Sequence, residues 1–167
     1  YDTKLKSLLY GKIMYIETAL KNIALNTIMD EIHSNSIYDM YDKAVSGYKN
    51  APKGTAVLQK KKFQTNKLSL QGSIQKSITA AYQRENPKIT HFYNNGNYNE
   101  VPIWAIFEIL TMGDFGYLLS CLTENVRKKI SINIGLNLSS DTNYTLVDKY
   151  VYALKDLRNA IAHNDVV

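Results

Sequence analysis

The sequence lacks the features that cross-link a chain or embed it in a membrane. Cys121 is the only cysteine, which excludes an internal disulfide and suits the reducing cytosol. No run approaches the roughly 18 consecutive apolar residues that indicate a membrane-spanning helix, and the N-terminus has no apolar signal segment. We therefore predict a cytoplasmic protein that makes no membrane contact. An initiator methionine is also missing, so we expect the chain to be trimmed at its ends.

Helix breakers and metal ligands are scarce as well. Three prolines and eight glycines in 167 residues favour long uninterrupted elements within one domain, residues 1–167. Three scattered histidines and one cysteine argue against a zinc cluster, and no paired-carboxylate motif for catalytic Mg²⁺ is present. We predict neither a metal nor a cofactor. A net charge of +5 favours a polyanionic partner, although an AT-rich genome gives a similar composition.

Apolar residues recur at three- and four-residue spacings along most of the chain. Residues 5–32 are the clearest case and predict a long amphipathic helix. Gly113 is predicted to close a later helix and Asp114 to cap the next one. Isoleucine alternates with polar residues over 130–134 as in a strand, but a lone strand would have no partner, so we favour a helix. The sequence predicts an all-α bundle of about six or seven helices.

Residues 50–67 are the least patterned stretch, and three consecutive lysines lie within it. We interpret this stretch as a basic loop. A solvated surface run explains the lysines at least as well as a nucleic-acid contact does.

The last helix carries a group of polar side chains beside an apolar stripe. The stripe is predicted to pack into the core and consists of Leu146, Tyr150, Ala153, Leu157 and Ile161. Asn159 and His163 are four residues apart and share another face. Arg158 and His163 lie about 140° apart around the axis and about 7.5 Å along it. They can therefore flank a groove, but they cannot form one compact pair.

The chemistry of these three side chains suits a phosphate ester. A histidine with the usual pKa of about 6.5 takes or gives a proton near neutrality, and the planar fork of arginine fits phosphate oxygens. Asn159 can orient the imidazole or bind a sugar or phosphate. This set can promote attack of a ribose 2′-OH on the adjacent phosphorus. The alternative is that the helix dipole alone favours Arg158 and His163 near a C-terminus.

The segment "LKDLRNAIAHND" resembles the R-N-x-x-x-H signature of the HEPN superfamily. The segment "ITHFYNNGNYNEVPIWAIFEILTMGDFGYLLSCL" resembles the central block of its Abi-like branch (abortive infection, AbiD/AbiF-type). The matching positions of that block are His91, Tyr93, Pro102, Trp104, Glu108 and Gly113. The opening helix is similar through Glu17 and Lys21 in "YIETALKNIAL", although the family usually has Arg at the second position. The family's tail after the His is also absent here.

The resemblance implies a helical bundle that forms a homodimer with the two motifs facing one cleft. Many members are metal-independent endoribonucleases that leave a 2′,3′-cyclic phosphate, and Abi-like members act in phage defence or as toxins restrained by an antitoxin partner. By the same resemblance, His163 is the general acid/base, Arg158 binds the phosphate, and Asn159 orients the His or the substrate. Glu17 and Lys21 would position Arg158; a surface i,i+4 ion pair is the alternative that we favour.

Other residues receive supporting roles by the same comparison. Two basic clusters would steer RNA towards the cleft, and they consist of Lys60, Lys61 and Lys62 and of Arg127, Lys128 and Lys129. Trp104, Tyr93 and Glu108 are expected to serve core packing and helix docking. Two other classes of function remain open, namely a non-catalytic RNA-binding module and a helical dimerisation domain.

Overall fold

The computed structural model describes residues 2–94, 100–139, 141 and 143–162, and these residues form eight α-helices and one π-helical turn. The helices are α1 (Asp2–Ile32), α2 (Ile37–Asp39), α3 (Val57–Gln83), α4 (Pro87–Asn94), α5 (Ile103–Ile109), α6 (Met112–Cys121), α7 (Glu124–Ile134) and α8 (Leu146–Ala162). The π-helical turn, Met40–Ala44, continues α2. The described residues contain no strand, so the predicted all-α class is confirmed.

The ambiguous stretch around residues 130–134 is helical, as favoured from the sequence. It forms the end of α7, and Gly135 closes this helix in the left-handed region at φ 83°. Glycine adopts this conformation without the steric cost that a Cβ atom would bring.

The predicted loop at 50–67 is wrong in its second half, because α3 begins at Val57. Leu, Lys and Gln are good helix formers, and no Pro or Gly interrupts the segment between Gly54 and Gly72. The lysine run therefore belongs to the first turns of a helix. Farther along, this helix buries Leu70 and Ile74 against the core.

The predicted caps at Gly113 and Asp114 are also wrong. α5 ends at Ile109, and Thr111 is the N-cap of α6. Its Oγ1 accepts a hydrogen bond from the Asp114 backbone N–H at 3.1 Å and donates to Asp114 Oδ2 at 2.7 Å. The first of these bonds satisfies an otherwise unpaired donor of the first turn, which makes Thr111 the better helix start.

The core lies around α6, which packs against both α3 and α8. Phe115 on α6 is fully buried and meets Phe107 of α5 edge to face at 5.9 Å. Gly116 lies directly against the Tyr152 ring of α8, so that a Cβ atom built at Gly116 would approach that ring to 3.0 Å. The missing side chain allows α6 and α8 to approach closely.

The buried face of α8 is rotated from the predicted stripe. Val147, Val151 and Ile161 are buried, whereas Tyr150 is 54% exposed. Two neighbouring apolar stripes exist on this helix, and the buried one contains Val147 and Val151. Arg158 lies on the buried stripe, because it follows Val147 by eleven residues and precedes Ile161 by three.

Candidate active site at the end of the terminal helix

The last turns of α8 bring Arg158 against α1. Its Nε lies 3.6 Å from Oε2 of Glu17, and the arginine side chain is 36% exposed. Because Arg158 lies on the core-facing stripe of α8, this contact joins the terminal helix to the opening helix. One side of the guanidinium is thus held by a carboxylate while part of it still faces solvent.

Glu17 also pairs with a second cation on its own helix. Lys21 Nζ lies 3.2 Å from Glu17 Oε1 and donates a hydrogen bond to the Leu110 carbonyl oxygen at 2.7 Å. Leu110 follows the last residue of α5, where helix carbonyls lack intrahelical partners and attract cations. The Glu17 and Lys21 side chains are only 11% and 15% exposed, so the favoured prediction of a surface ion pair is wrong. The predicted i,i+4 ion pair does form, but the end of α5 covers it.

One oxygen of Glu17 is buried without a hydrogen bond. Oε2 is inaccessible to solvent, and no hydrogen-bond donor contacts it among the described residues. Arg158 at 3.6 Å provides charge attraction but no hydrogen bond. A buried acceptor of this kind costs free energy unless a donor reaches it, and Nε of Arg158 would have to move closer than 3.6 Å to supply one.

Of the other two motif residues, Asn159 is described by the structure and His163 is not. Asn159 is exposed and lies on a different face of α8 from Arg158. His163 lies outside the described residues, so its predicted position across a groove from Arg158 stays a prediction.

The first basic cluster lies at the start of α3. Lys61 and Lys62 are exposed, and Lys60 Nζ lies 6.0 Å from the centre of the Tyr48 ring. Lys61 and Lys62 can therefore approach a phosphate backbone without giving up a described partner.

The second basic cluster, on α7, is mostly engaged within the protein. Lys129 forms an ion pair with Glu31, and Lys128 Nζ lies 5.8 Å from the centre of the Tyr144 ring. Arg127 is partly buried, and its Nε has no hydrogen-bond partner within the described part of the chain.

One residue of the second cluster, Arg127, lines a pocket that α3 also borders, and it lies away from Arg158. Phe63 of α3 and Arg127 of α7 line the same pocket of about 290 Å³. Arg127 also lies beside Asp148 near the start of α8. Asp148 precedes Arg158 by ten residues, which places them about 15 Å apart along the helix. RNA would have to extend over that distance to contact both regions.

The expected core residues of the central block are only partly buried. Trp104 is 45% exposed and meets Phe92 edge to face at 5.8 Å, and Tyr93 is also exposed. Glu108 is about half exposed and pairs with Lys88. The contacts of Trp104 and Glu108 join α5 to α4, which agrees with the predicted helix docking. The prediction of core packing is wrong for them, because α5 buries Ile103, Ile106 and Phe107 instead.

A pocket of about 210 Å³ lies between α1 and α5, and Glu17 is one of the residues that line it. Trp104 and Glu108 line it from α5. Thr18 and Asn22 line it from α1, and sequence reasoning did not identify them. Their spacing could have indicated them. Thr18 and Asn22 are four residues apart, as Glu17 and Lys21 are, so they share one face of α1.

Two broader classes of feature are absent from the described residues. No three His, Cys, Asp or Glu side chains among them come close enough to hold a metal ion. None of the described helices combines the length and the apolar character that a membrane span needs.

These observations define a helical bundle whose last helix presents an arginine held by a buried carboxylate. The family model of Abi-like proteins matches residues 1–167, and the chain belongs to this family. Comparisons with curated proteins and with solved structures found no match.

Proposed function

We propose that this protein is a metal-independent endoribonuclease that acts as an effector or toxin in phage defence by abortive infection. The observation that carries the proposal is the contact between Glu17 and Arg158, which fixes the arginine of the R-N-x-x-x-H motif at the end of α8. Membership in the Abi-like family along the whole chain supports the role in defence.

In the proposed reaction, His163 removes the proton from a ribose 2′-OH, and the resulting oxygen attacks the adjacent phosphorus. The bond from phosphorus to the 5′ oxygen breaks, and that oxygen takes up a proton. The products are a 2′,3′-cyclic phosphate and a 5′-OH end. Arg158 binds the phosphate oxygens and stabilises the charge that grows on them. Asn159 orients the imidazole or the substrate.

Glu17 is a positioning residue in this scheme. Its contact with Arg158 is at Nε, so the two terminal nitrogens of the guanidinium can still bind phosphate oxygens. Lys21 holds Glu17 in place through the ion pair and the bond to the Leu110 carbonyl. A fixed guanidinium loses less conformational entropy when it binds phosphate than a free one does.

A second copy of the chain is part of the proposal. Two histidines from two copies would provide the base and the acid that the reaction needs. Leu8 and Tyr15 are exposed and seven residues apart on α1, the helix whose Glu17 contacts Arg158 of α8. Exposed apolar side chains at this spacing support a homodimer contact along α1. Light scattering would measure the molar mass of the protein in solution and so distinguish a dimer from a monomer.

The test is incubation of the wild type and of His163→Ala with total RNA and EDTA, followed by analysis of the fragment ends. His91→Ala is the matched control, because His91 is an exposed histidine in another helix. We expect cyclic phosphate ends with the wild type and with His91→Ala, and no fragments with His163→Ala. Equal cleavage by His163→Ala contradicts the proposal, and so does tight RNA binding by the wild type with no product.

A further inference from the structure

The pocket between α1 and α5 has the size and the walls of a site for one flat, polar ring. Its volume is about 210 Å³, below the range of about 300–1,000 Å³ that is typical of sites for drug-sized ligands. Thr18, Asn22, Trp104 and Glu108 supply an aromatic surface and polar atoms together. Glu17 belongs both to this pocket and to the contact with Arg158.

Trp104 offers the aromatic surface. It is the only tryptophan in the chain, and 45% of it is exposed although tryptophan is usually well buried. Its contact with Phe92 is edge to face, with ring centres 5.8 Å apart at 64°. An exposed indole held by a neighbouring ring is the kind of surface on which proteins stack nucleobases.

The polar atoms of the pocket suit a neutral base better than a phosphate. Two carboxylates line it, and its one ammonium group, on Lys21, is already paired with Glu17. Thr18 Oγ1 donates its proton to the Met14 carbonyl oxygen at 2.9 Å, so it can only accept from a ligand. The Glu108 carboxylate is about half exposed and pairs with Lys88 through Oε2, which leaves Oε1 able to accept from a ligand. Walls that mainly accept hydrogen bonds select bases that carry an amino group.

We propose that this pocket binds one unpaired nucleobase of RNA, stacked on Trp104 with its amino edge towards Thr18 and Glu108. Because Glu17 is common to both sites, the phosphate next to that base would lie at Arg158. This inference rests on the proposed nuclease function for its substrate and adds a specificity site to it. Bases with an amino group, adenine and cytosine among them, should bind better than uracil.

The single tryptophan makes the test direct, because indole fluorescence reports on this pocket alone. His163→Ala is titrated with short oligoadenylate, oligocytidylate and oligouridylate, and with an abasic ribose-phosphate oligomer of the same length. We expect quenching by the first two, weaker quenching by oligouridylate and none by the abasic oligomer. Binding of oligoadenylate without quenching, or no binding at all, overturns the inference.

Variants of Trp104 give an independent measurement by fluorescence anisotropy of labelled oligoadenylate. Trp104→Ala should weaken binding about 5- to 150-fold, the range expected for loss of one stacked base, whereas Trp104→Phe should retain most of the affinity. Tyr150→Ala is the matched control, because it removes an exposed aromatic side chain that does not line the pocket. Equal affinities of Trp104→Ala and Tyr150→Ala overturn the inference.

Cleavage by the wild type, measured in parallel, separates the two proposals. Cleavage without quenching overturns the base site and leaves the nuclease function standing. Quenching without cleavage supports the base site and overturns the nuclease function.

Discussion

Neutralising Glu17 should destabilise the protein far more than an exposed ion pair would suggest. Glu17→Gln keeps the size of the side chain but leaves Lys21 and Arg158 without their shared anion. The three charges lie 3.2 and 3.6 Å apart, and two of the side chains are less than a sixth exposed. At the effective dielectric constant of about 20 that suits such sites, each attraction is worth about 5 kcal/mol before desolvation is subtracted.

The net magnitude is smaller, because desolvation offsets much of the attraction. Breaking a buried pair by removing one partner costs about 3–5 kcal/mol. We expect about 3 kcal/mol here, since Arg158 is more than a third exposed and contributes little. For a chain of this size, that loss lowers the melting temperature by about 6–12 °C.

Thermal and urea unfolding would measure the effect in a double-mutant cycle with Lys21→Met. We expect Glu17→Gln and Lys21→Met to be coupled by about 0.5–3 kcal/mol, because each change removes the partner of the other. The matched control is Asp39→Asn, which breaks the Asp39–Lys43 pair of the same i,i+4 spacing. Both side chains of that pair are well exposed, so the control should leave the melting temperature almost unchanged. Additive effects, or a cost for Glu17→Gln below about 0.5 kcal/mol, would refute the reasoning.

Three further results are expected. Gly116→Ala should gain about 0.5–1 kcal/mol from helix propensity but lose about 1–3 kcal/mol because its Cβ would press on the Tyr152 ring, so we expect a net loss in urea unfolding; a stabilised variant would contradict the α6–α8 packing. Burial raises the pKa of Asp148, so ionising it costs stability as the pH rises above the usual carboxyl pKa of about 3.9. Asp148→Asn should therefore be more stable than the wild type at neutral pH, and the difference should shrink in acid; a difference independent of pH would show that ionisation is not the cause. Replacing Lys61 and Lys62 by Ala should reduce the slope of log affinity for single-stranded RNA against log salt by about 0.7 for each phosphate that the lysines neutralise in the wild type, and an unchanged slope would remove them from the binding surface.

Much of the fold was predictable because apolar spacing reports burial directly. Residues 5–32 gave the opening helix almost to its ends, and residues 130–134 were assigned correctly once a lone strand was rejected. The start of α3 was missed because lysines at its first turns carry no apolar pattern, although they are good helix formers.

The rotation of α8 was not predictable from its own sequence. Two adjacent stripes are both apolar, and the choice between them depends on contacts with other helices, among them that of Tyr152 with Gly116 of α6. For the same reason the sequence could not show that Arg158 faces α1.

The candidate site was predictable only as a set of residue types. An i,i+4 pair such as Glu17 and Lys21 has the same spacing whether it is exposed or covered, and its burial depends on α5, which is distant in sequence. The exposure of Trp104 was missed because a tryptophan between apolar residues ordinarily indicates core. Such features arise from contacts between helices, which local periodicity does not encode.

The most direct test of the account is the rate of RNA cleavage in EDTA by Arg158→Ala, compared with the wild type and with Lys149→Ala. Lys149 is an exposed cation on the same helix, so its replacement changes the net charge equally without touching the site. With the folded fraction matched by circular dichroism, we expect Arg158→Ala to cleave about 100- to 1,000-fold more slowly, and Lys149→Ala to cleave like the wild type. Cleavage by folded Arg158→Ala at the wild-type rate would contradict the claim that this guanidinium binds the reacting phosphate.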